Sequence, residues 1–236
     1  MNENANKGWN GSSGVTEQSV GADNLQWEKA IKLDLGIEGK LFNEQVDFTV
    51  DFFRDTRNDI FQQRTMVPDY IGLAEQPFGN VGSMVSYGAD GNISFTQDIG
   101  KDFSFTLRGN FTYTANMVKN WEEAFQKYSY QERADKPYEY YAGYIALGLF
   151  RDEDDVKFSP DQSGIAGRKV LPGDIKYKDV NGDGVINSDD QVPLSYKANY
   201  PRLMYGFGGE VRWKKLTLGF LFKGTGNVDN FCVDGY

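Results

Sequence analysis

Alternation with a period of two, sustained beyond the length of an ordinary strand, is the feature that most constrains this chain. Trp27, Lys29, Ile31, Leu33, Leu35 and Ile37 fall on one face of an extended segment, and Glu28, Ala30, Lys32, Asp34, Gly36 and Glu38 on the other. Successive side chains of a strand point to opposite sides, so this spacing predicts a strand and not a helix. Its dozen residues are about twice the typical strand of ~5 to 6. After a turn at 40–45 the pattern resumes with Val46, Phe48, Val50 and Phe52 against Asp47, Thr49 and Asp51.

Two more hairpins follow the same rule. Ala89, Gly91, Ile93, Phe95 and Ile99 lead through a turn at 100–102 to Phe103, Phe105, Leu107, Phe111 and Tyr113. Leu203, Tyr205, Phe207, Val211 and Trp213 lead through Lys214-Lys215 to Leu216, Leu218, Phe220 and Phe222. The opposite faces carry Asp, Asn, Ser, Thr, Glu and Arg. Residues 54–82 and 116–200 read as long irregular connections, so short turns lie at one end of the strands and long loops at the other. No stretch reaches the ~18 apolar residues of a membrane helix, a test that leaves a barrel open. The expected fold class is all-β: an antiparallel transmembrane β-barrel segment of about six long strands as three hairpins, since a strand crosses a bilayer in ~9 to 11 residues. A soluble β-sandwich or jelly roll alternates in the same way, which keeps a soluble extracellular binding or adhesion module as the second reading.

Inside the longest loop, residues 179–190 read Asp-Val-Asn-Gly-Asp-Gly-Val-Ile-Asn-Ser-Asp-Asp. Oxygen-bearing side chains stand at loop positions 1, 3, 5, 9 and 12, with Gly184 at position 6, which is the spacing of a twelve-residue calcium loop. A hard dication needs six to eight oxygens, so ligands must converge from every second residue while a glycine turns the chain. The expected ligands are Asp179, Asn181, Asp183, the Val185 carbonyl and Asp190, with Asn187 acting through a water. Position 12 is Asp, shorter than the usual Glu. The flanks also differ from a helix-loop-helix sensor: Ile175-Lys176-Tyr177-Lys178 looks extended, and Gln191-Val192-Pro193 is incompatible with a helix interior. The expectation is a lone, dockerin-like loop that holds a structural calcium.

Composition removes several function classes. The net charge of -9 offers no basic stripe for nucleic acid. There is no histidine and a single cysteine, Cys232, so His-dependent triads and internal disulfides are absent. The carboxylates Asp152, Asp154 and Asp155 read as a solvated charge run, and no enzyme is expected. Tyr138, Tyr140, Tyr141 and Tyr144 form an aromatic cluster that suits either a sugar-stacking surface or an ordinary barrel rim.

The stretch 172–190, Pro-Gly-Asp-Ile-Lys-Tyr-Lys-Asp-Val-Asn-Gly-Asp-Gly-Val-Ile-Asn-Ser-Asp-Asp, with Pro201 and Tyr205-Gly206-Phe207-Gly208 downstream, closely resembles the C-terminal barrel region of the SusC/RagA family of TonB-dependent outer-membrane transporters. Asn24-Leu25-Gln26-Trp27-Glu28-Lys29 and Phe48-Thr49-Val50-Asp51-Phe52-Phe53 resemble the family's preceding hairpin. The resemblance implies a large plugged barrel in the bacterial outer membrane, a SusD-like lipoprotein partner over its mouth, the TonB complex as energy source, and glycan or peptide cargo. No signal peptide, plug or TonB-contacting segment is recognisable here. The expectation is therefore part of a longer gene product that does not transport alone, with 1–26 as loop, 27–236 as partial barrel and 116–200 as its extracellular loop.

Overall fold

The computed structural model describes residues 21, 25–68, 73, 75–197 and 200–229. Most of the loop expected at 1–26, and Cys232, lie outside them. Six strands form one antiparallel sheet: β1 (Lys29–Leu41), β2 (Val46–Gln63), β3 (Phe78–Ile99), β4 (Phe103–Asn120), β9 (Leu203–Trp213) and β10 (Leu216–Gly226). Their order is β1-β2-β3-β4-β9-β10, which makes three hairpins laid side by side. The turns are short, and backbone with positive φ at Phe42, Asn43, Glu44, Gly100 and Lys214 makes the reversals.

Register explains the two faces. Phe48, Ile93, Gly109, Phe207 and Phe222 are cross-strand partners in one row. One residue along, Glu38, Thr49, Asn92, Asn110, Gly206 and Lys223 form the next row on the opposite face. One face is thus aliphatic and aromatic, the other polar and charged. The apolar face is bare: Leu33 is 67% and Leu218 72% exposed. A soluble sandwich would bury that face against a second sheet. Among the described residues no second layer covers it, and no helix is long and apolar enough to cross a membrane. The arrangement is that of a barrel wall, and β1 and β10 are its outer strands here.

The strands are longer than the alternation suggested. Residues 54–63 and 78–82, expected as irregular, belong to β2 and β3, and β4 runs on to Asn120. In Arg54-Asp55-Thr56-Arg57-Asn58-Asp59 both faces are polar, so no alternation marks the strand, yet the ladder to Met84, Val85, Ser86 and Tyr87 continues. A bulge between Arg57 and Ile60, with Asp59 at φ 58°, shifts the phase of the strand beyond it. Strands of 18 and 22 residues exceed the ~11 a bilayer needs. Their upper halves project past the apolar band.

Between β4 and β9 the chain builds a small separate unit. It contains β5 (Tyr141–Gly143) paired with β8 (Val192–Ser195), β6 (Ala146–Leu149) paired with β7 (Ile175–Tyr177), and two short helices, α1 (Glu153–Lys157) and α2 (Ser163–Ala166). The segment 120–136 contains a single helical turn, at Ser129–Gln131. Phe150, Val170 and Ile186 form its apolar centre, and Gln162 and Asp190 are buried beside them. It is stitched to the sheet where β4 outruns β9: the Val118 amide donates to the Lys136 carbonyl at 2.8 Å, and the Asp135 amide to the Val118 carbonyl at 2.9 Å.

The register generates a direct test. In the complete barrel refolded into phospholipid vesicles, Phe207→Arg is expected to cost about 2–4 kcal/mol of unfolding free energy in a urea titration, as a charge at the lipid face does. Thr49→Lys, on the opposite face, is expected to stay within about 0.5 kcal/mol of the parent.

Candidate metal centre

The twelve residues 179–190 fold as a chain of side-chain-to-backbone turns. The Asp179 carboxylate accepts from the Gly182 amide at 2.6 Å and the Gly184 amide at 2.8 Å. Asn181 Oδ1 accepts from the Asp183 amide at 2.9 Å, and Asp183 Oδ1 from the Val185 amide at 2.9 Å. Asn187 Oδ1 accepts from the Asp189 amide at 2.7 Å and caps the helical turn Ser188–Asp190. Asp and Asn side chains favour such short-range bonds, which is why this composition turns and does not extend. Gly182 and Gly184 take positive φ of 76° and 84°, a conformation that a side chain would strain.

Asp190 closes the loop from inside. It is fully buried, and its two oxygens accept from the Val180 amide at 2.8 Å and the Asn187 amide at 2.9 Å. The second and ninth positions are thereby tied to the twelfth. Ile186, 1% exposed, anchors the turn in the apolar centre, a burial worth about 1.5–3 kcal/mol.

The side-chain donors expected for calcium occupy one loop, and all are hard oxygens. Asp179, Asn181 and Asp183 follow one another at every second residue, the Val185 carbonyl stands at position 7, and Asp190 lies beneath. Among the described residues, however, no three acidic, histidine or cysteine side chains stand together as a ready-made metal cage. Two features account for this: the Asn181 amide nitrogen donates to Asp183 Oδ2 at 2.9 Å, and Asp190 faces backbone amides. Each carboxylate oxygen retains further lone-pair capacity, so the donor chemistry fits a dication.

Two partners of the loop carry no sequence signal. On one side, Tyr130 donates its hydroxyl to the Asp189 carbonyl at 2.6 Å, Gln131 donates to the Ser188 carbonyl at 3.0 Å, and Lys127 meets Asp189 at 2.9 Å. The Asp189 carboxylate raises the Lys127 ammonium above its ordinary range, and burial raises the Tyr130 phenol. On the other side, the Asp161 amide donates to the Gly184 carbonyl at 2.9 Å and the Ile186 amide to the Asp161 carbonyl at 2.8 Å. A lone loop thus finds for its central backbone the β-bridge that a second loop would supply in a pair. The flanks are β7, extended as the sequence indicated, and β8, a strand where the sequence indicated only that a helix interior was excluded.

The tyrosine cluster is divided. Tyr138 packs edge-on against Trp121 with the Arg133 guanidinium 5.5 Å from its ring; Tyr140 lies beside Tyr196; Tyr144 lies 5.4 Å from Tyr177. Buried Lys136 donates to the Tyr130 and Glu132 carbonyls, and burial lowers its ammonium below the usual range.

Comparison with known proteins bears on the sheet and the loop together. A family model described as TonB dependent receptor-like, beta-barrel matches residues 1–231. TonB-dependent receptor P26 of Formosa agariphila is 26% identical over 223 residues, covering 90% of this chain and 22% of the relative. TonB-dependent receptor SusC of Bacteroides thetaiotaomicron is 23% identical, covering 87% of this chain and 20% of the relative. The solved RagAB peptide importer in its 'open-open' state superposes with a TM-score of 0.65 at 21% identity, covering 92% of this chain and 22% of that chain. That last likeness speaks for the fold. The chain spans about a fifth of the length of the curated relatives it matches.

Ion pairs give the loop unit a defined acid response. A bond from Lys176 holds the Asp155 carboxyl below the usual carboxylate range, and the two-pronged Arg168 holds Asp174 below it. Depressed folded values mean a contribution that is full above the unfolded carboxylate value of ~3.9 and lost as pH falls through the lower folded values. Limited proteolysis of residues 151–178 in the complete receptor is expected to be unchanged from pH 7 to about 5 and to accelerate below about 4. Asp174→Asn is expected to raise cleavage at neutral pH and to flatten this acid dependence.

Proposed function

The chain belongs to the TonB-dependent receptor-like β-barrel family, and on that premise we propose that it forms part of the wall, and one long external loop, of an outer-membrane importer of glycans or peptides. The bare apolar face is the observation that carries this reading. Register groups Phe48, Ile93, Phe207 and Phe222 on one face and Thr49, Asn92, Asn110 and Lys223 on the other, which supports a lipid-facing apolar row and a lumen-facing polar row. The short turns lie on the periplasmic side and the long connection outside, as outer-membrane barrels are built. Trp213, beside Lys214 and Lys215, sits at the end of the apolar band where an aromatic belt meets the headgroups.

Transport belongs to the complete receptor. It works with a SusD-like lipoprotein over the mouth and takes energy from the TonB complex, as the kinship with SusC and the RagAB importer supports. No catalytic role is assigned to this chain, whose relatives are receptors and transporters.

Within the external loop, Asp179, Asn181, Asp183, the Val185 carbonyl and Asp190 hold a structural calcium. The ion supplies charge neutralisation among acidic side chains, and its binding energy becomes ordering energy for the loop. The residues do the rest: Asp190 stays fixed by backbone amides, Ile186 anchors the turn, and residues 127–131 and 161 brace its two sides.

Calorimetry and limited proteolysis of the complete receptor test this assignment. Calcium is expected to bind with one site per receptor from this loop and to slow cleavage at 121–202. The double variant Asp179→Ala, Asp183→Ala is expected to lose both effects while barrel unfolding is unchanged. Calcium that leaves cleavage and loop melting unaltered in the parent would refute the clamp.

A further inference from the structure

We infer that the cleft lined by Tyr144, Tyr177, Arg168, Asp174 and Gln162 binds a neutral oligosaccharide. This rests on the importer reading and gives its cargo a chemistry. The cleft encloses about 340 Å³, within the ~300–1,000 Å³ of small-molecule sites.

Three observations select the ligand. First, the two tyrosine rings stand 5.4 Å apart, tilted by 49°. Flat apolar faces with polar tips complement a sugar ring, whose C–H bonds gather on its faces while hydroxyls project from its edge. Gln191 donates to the Tyr144 hydroxyl at 3.1 Å and fixes that ring. Second, Arg168 grips Asp174 through two bonds of 3.0 and 2.7 Å, and the Leu171 amide donates to the same carboxylate at 2.9 Å. The pair offers donors and acceptors in a geometry already set, so hydroxyls can be read with little loss of side-chain freedom. Its charges cancel, which leaves Arg168 no unbalanced charge for a uronate or sulfate group.

Third, the strand that lines the cleft is a poor template for a peptide. An extended peptide gains affinity by adding to an open strand edge. One edge of β7 pairs with β6. On the other, buried Gln162 donates to the Ile175 carbonyl at 2.7 Å and accepts from the Tyr177 amide at 3.2 Å. The central carbonyl and amide of that edge are therefore occupied by a side chain, which disfavours the addition of a peptide strand there.

The test uses the purified complete receptor on an array of neutral oligosaccharides (maltohexaose, xylohexaose and laminarihexaose), oligogalacturonates and uncharged decapeptides. Binding to at least one neutral oligosaccharide is expected. Tyr177→Ala and Arg168→Ala are each expected to weaken it by about tenfold or more, while Tyr177→Phe, which keeps the ring, stays near the parent. Heat-modifiable gel mobility verifies that each variant retains its barrel. Neutral binding that survives both alanine variants, binding confined to oligogalacturonates or peptides, or no neutral binding overturns the assignment. Whole-cell uptake separates the two readings: TonB-dependent uptake without neutral-sugar binding overturns the cleft alone, whereas absence of any TonB-dependent uptake overturns the importer reading beneath it.

Discussion

In hydrocarbon a backbone amide or carbonyl has no water to turn to, so each must be satisfied by another strand. The ladder β1-β2-β3-β4-β9-β10 is the form this constraint takes here, and much else follows from its register. Because side chains alternate, one register puts Phe48, Ile93 and Phe207 on the same face and Thr49, Asn92 and Asn110 on the other. A slip of one residue would exchange the two sets, placing Lys40, Asp47, Ser94 and Arg108 on the apolar face. The strong contrast between faces is therefore also what protects the pairing.

The same ladder decides where irregular structure is possible. Open backbone is tolerated only beyond the apolar band, so the long connection between β4 and β9 must leave from the end where the strands project into water. That projection is long in β2, β3 and β4 and short in β9. The mismatch leaves the last turns of β4 without a strand partner on one side, and the backbone at Asp135 and Lys136 fills part of that gap through its bonds to Val118. The loop unit is thus seated on the sheet by the ordinary requirement that backbone groups be paired. Its own apolar centre is small, with Phe150, Val170 and Ile186 as its buried members.

Legibility in the sequence tracked solvent contrast. Where one face is apolar and the other polar, as at 31–37 or 103–113, alternation identified the strand, its phase and its partner. Where both faces are wet, as at 54–59, the residues are polar throughout and the strand went unmarked although its hydrogen bonds continue. The bulge at Asp59 compounded this by shifting the phase. The twelve-residue loop was legible because its signal is local: each Asp or Asn acts on an amide within five residues, apart from Asp190. Its bracing by Lys127, Tyr130, Gln131 and Asp161 was not, since those contacts join residues far apart in the chain through carbonyls and amides that every residue possesses. Proximity in sequence also misled in one respect, grouping tyrosines that the fold sends to different neighbours.

The division within the loop bears on how a cation would act there. Asp190 is fully buried and held by backbone amides on both oxygens, so its position does not wait for a metal. Asp183 is exposed, and its carboxylate is tied to the Asn181 amide, a bond that a cation drawing on both side chains would have to replace. Half of the proposed clamp is therefore preformed and half must rearrange. Preformed structure lowers the entropic cost of binding, while the exchangeable half makes order responsive to the ion. Since residues 127–131 rest on Ser188 and Asp189 beside the preformed Asp190, that brace persists through the exchange, and the ion's influence falls on the mouth of the loop at 179–185, which Asp161 touches at Gly184.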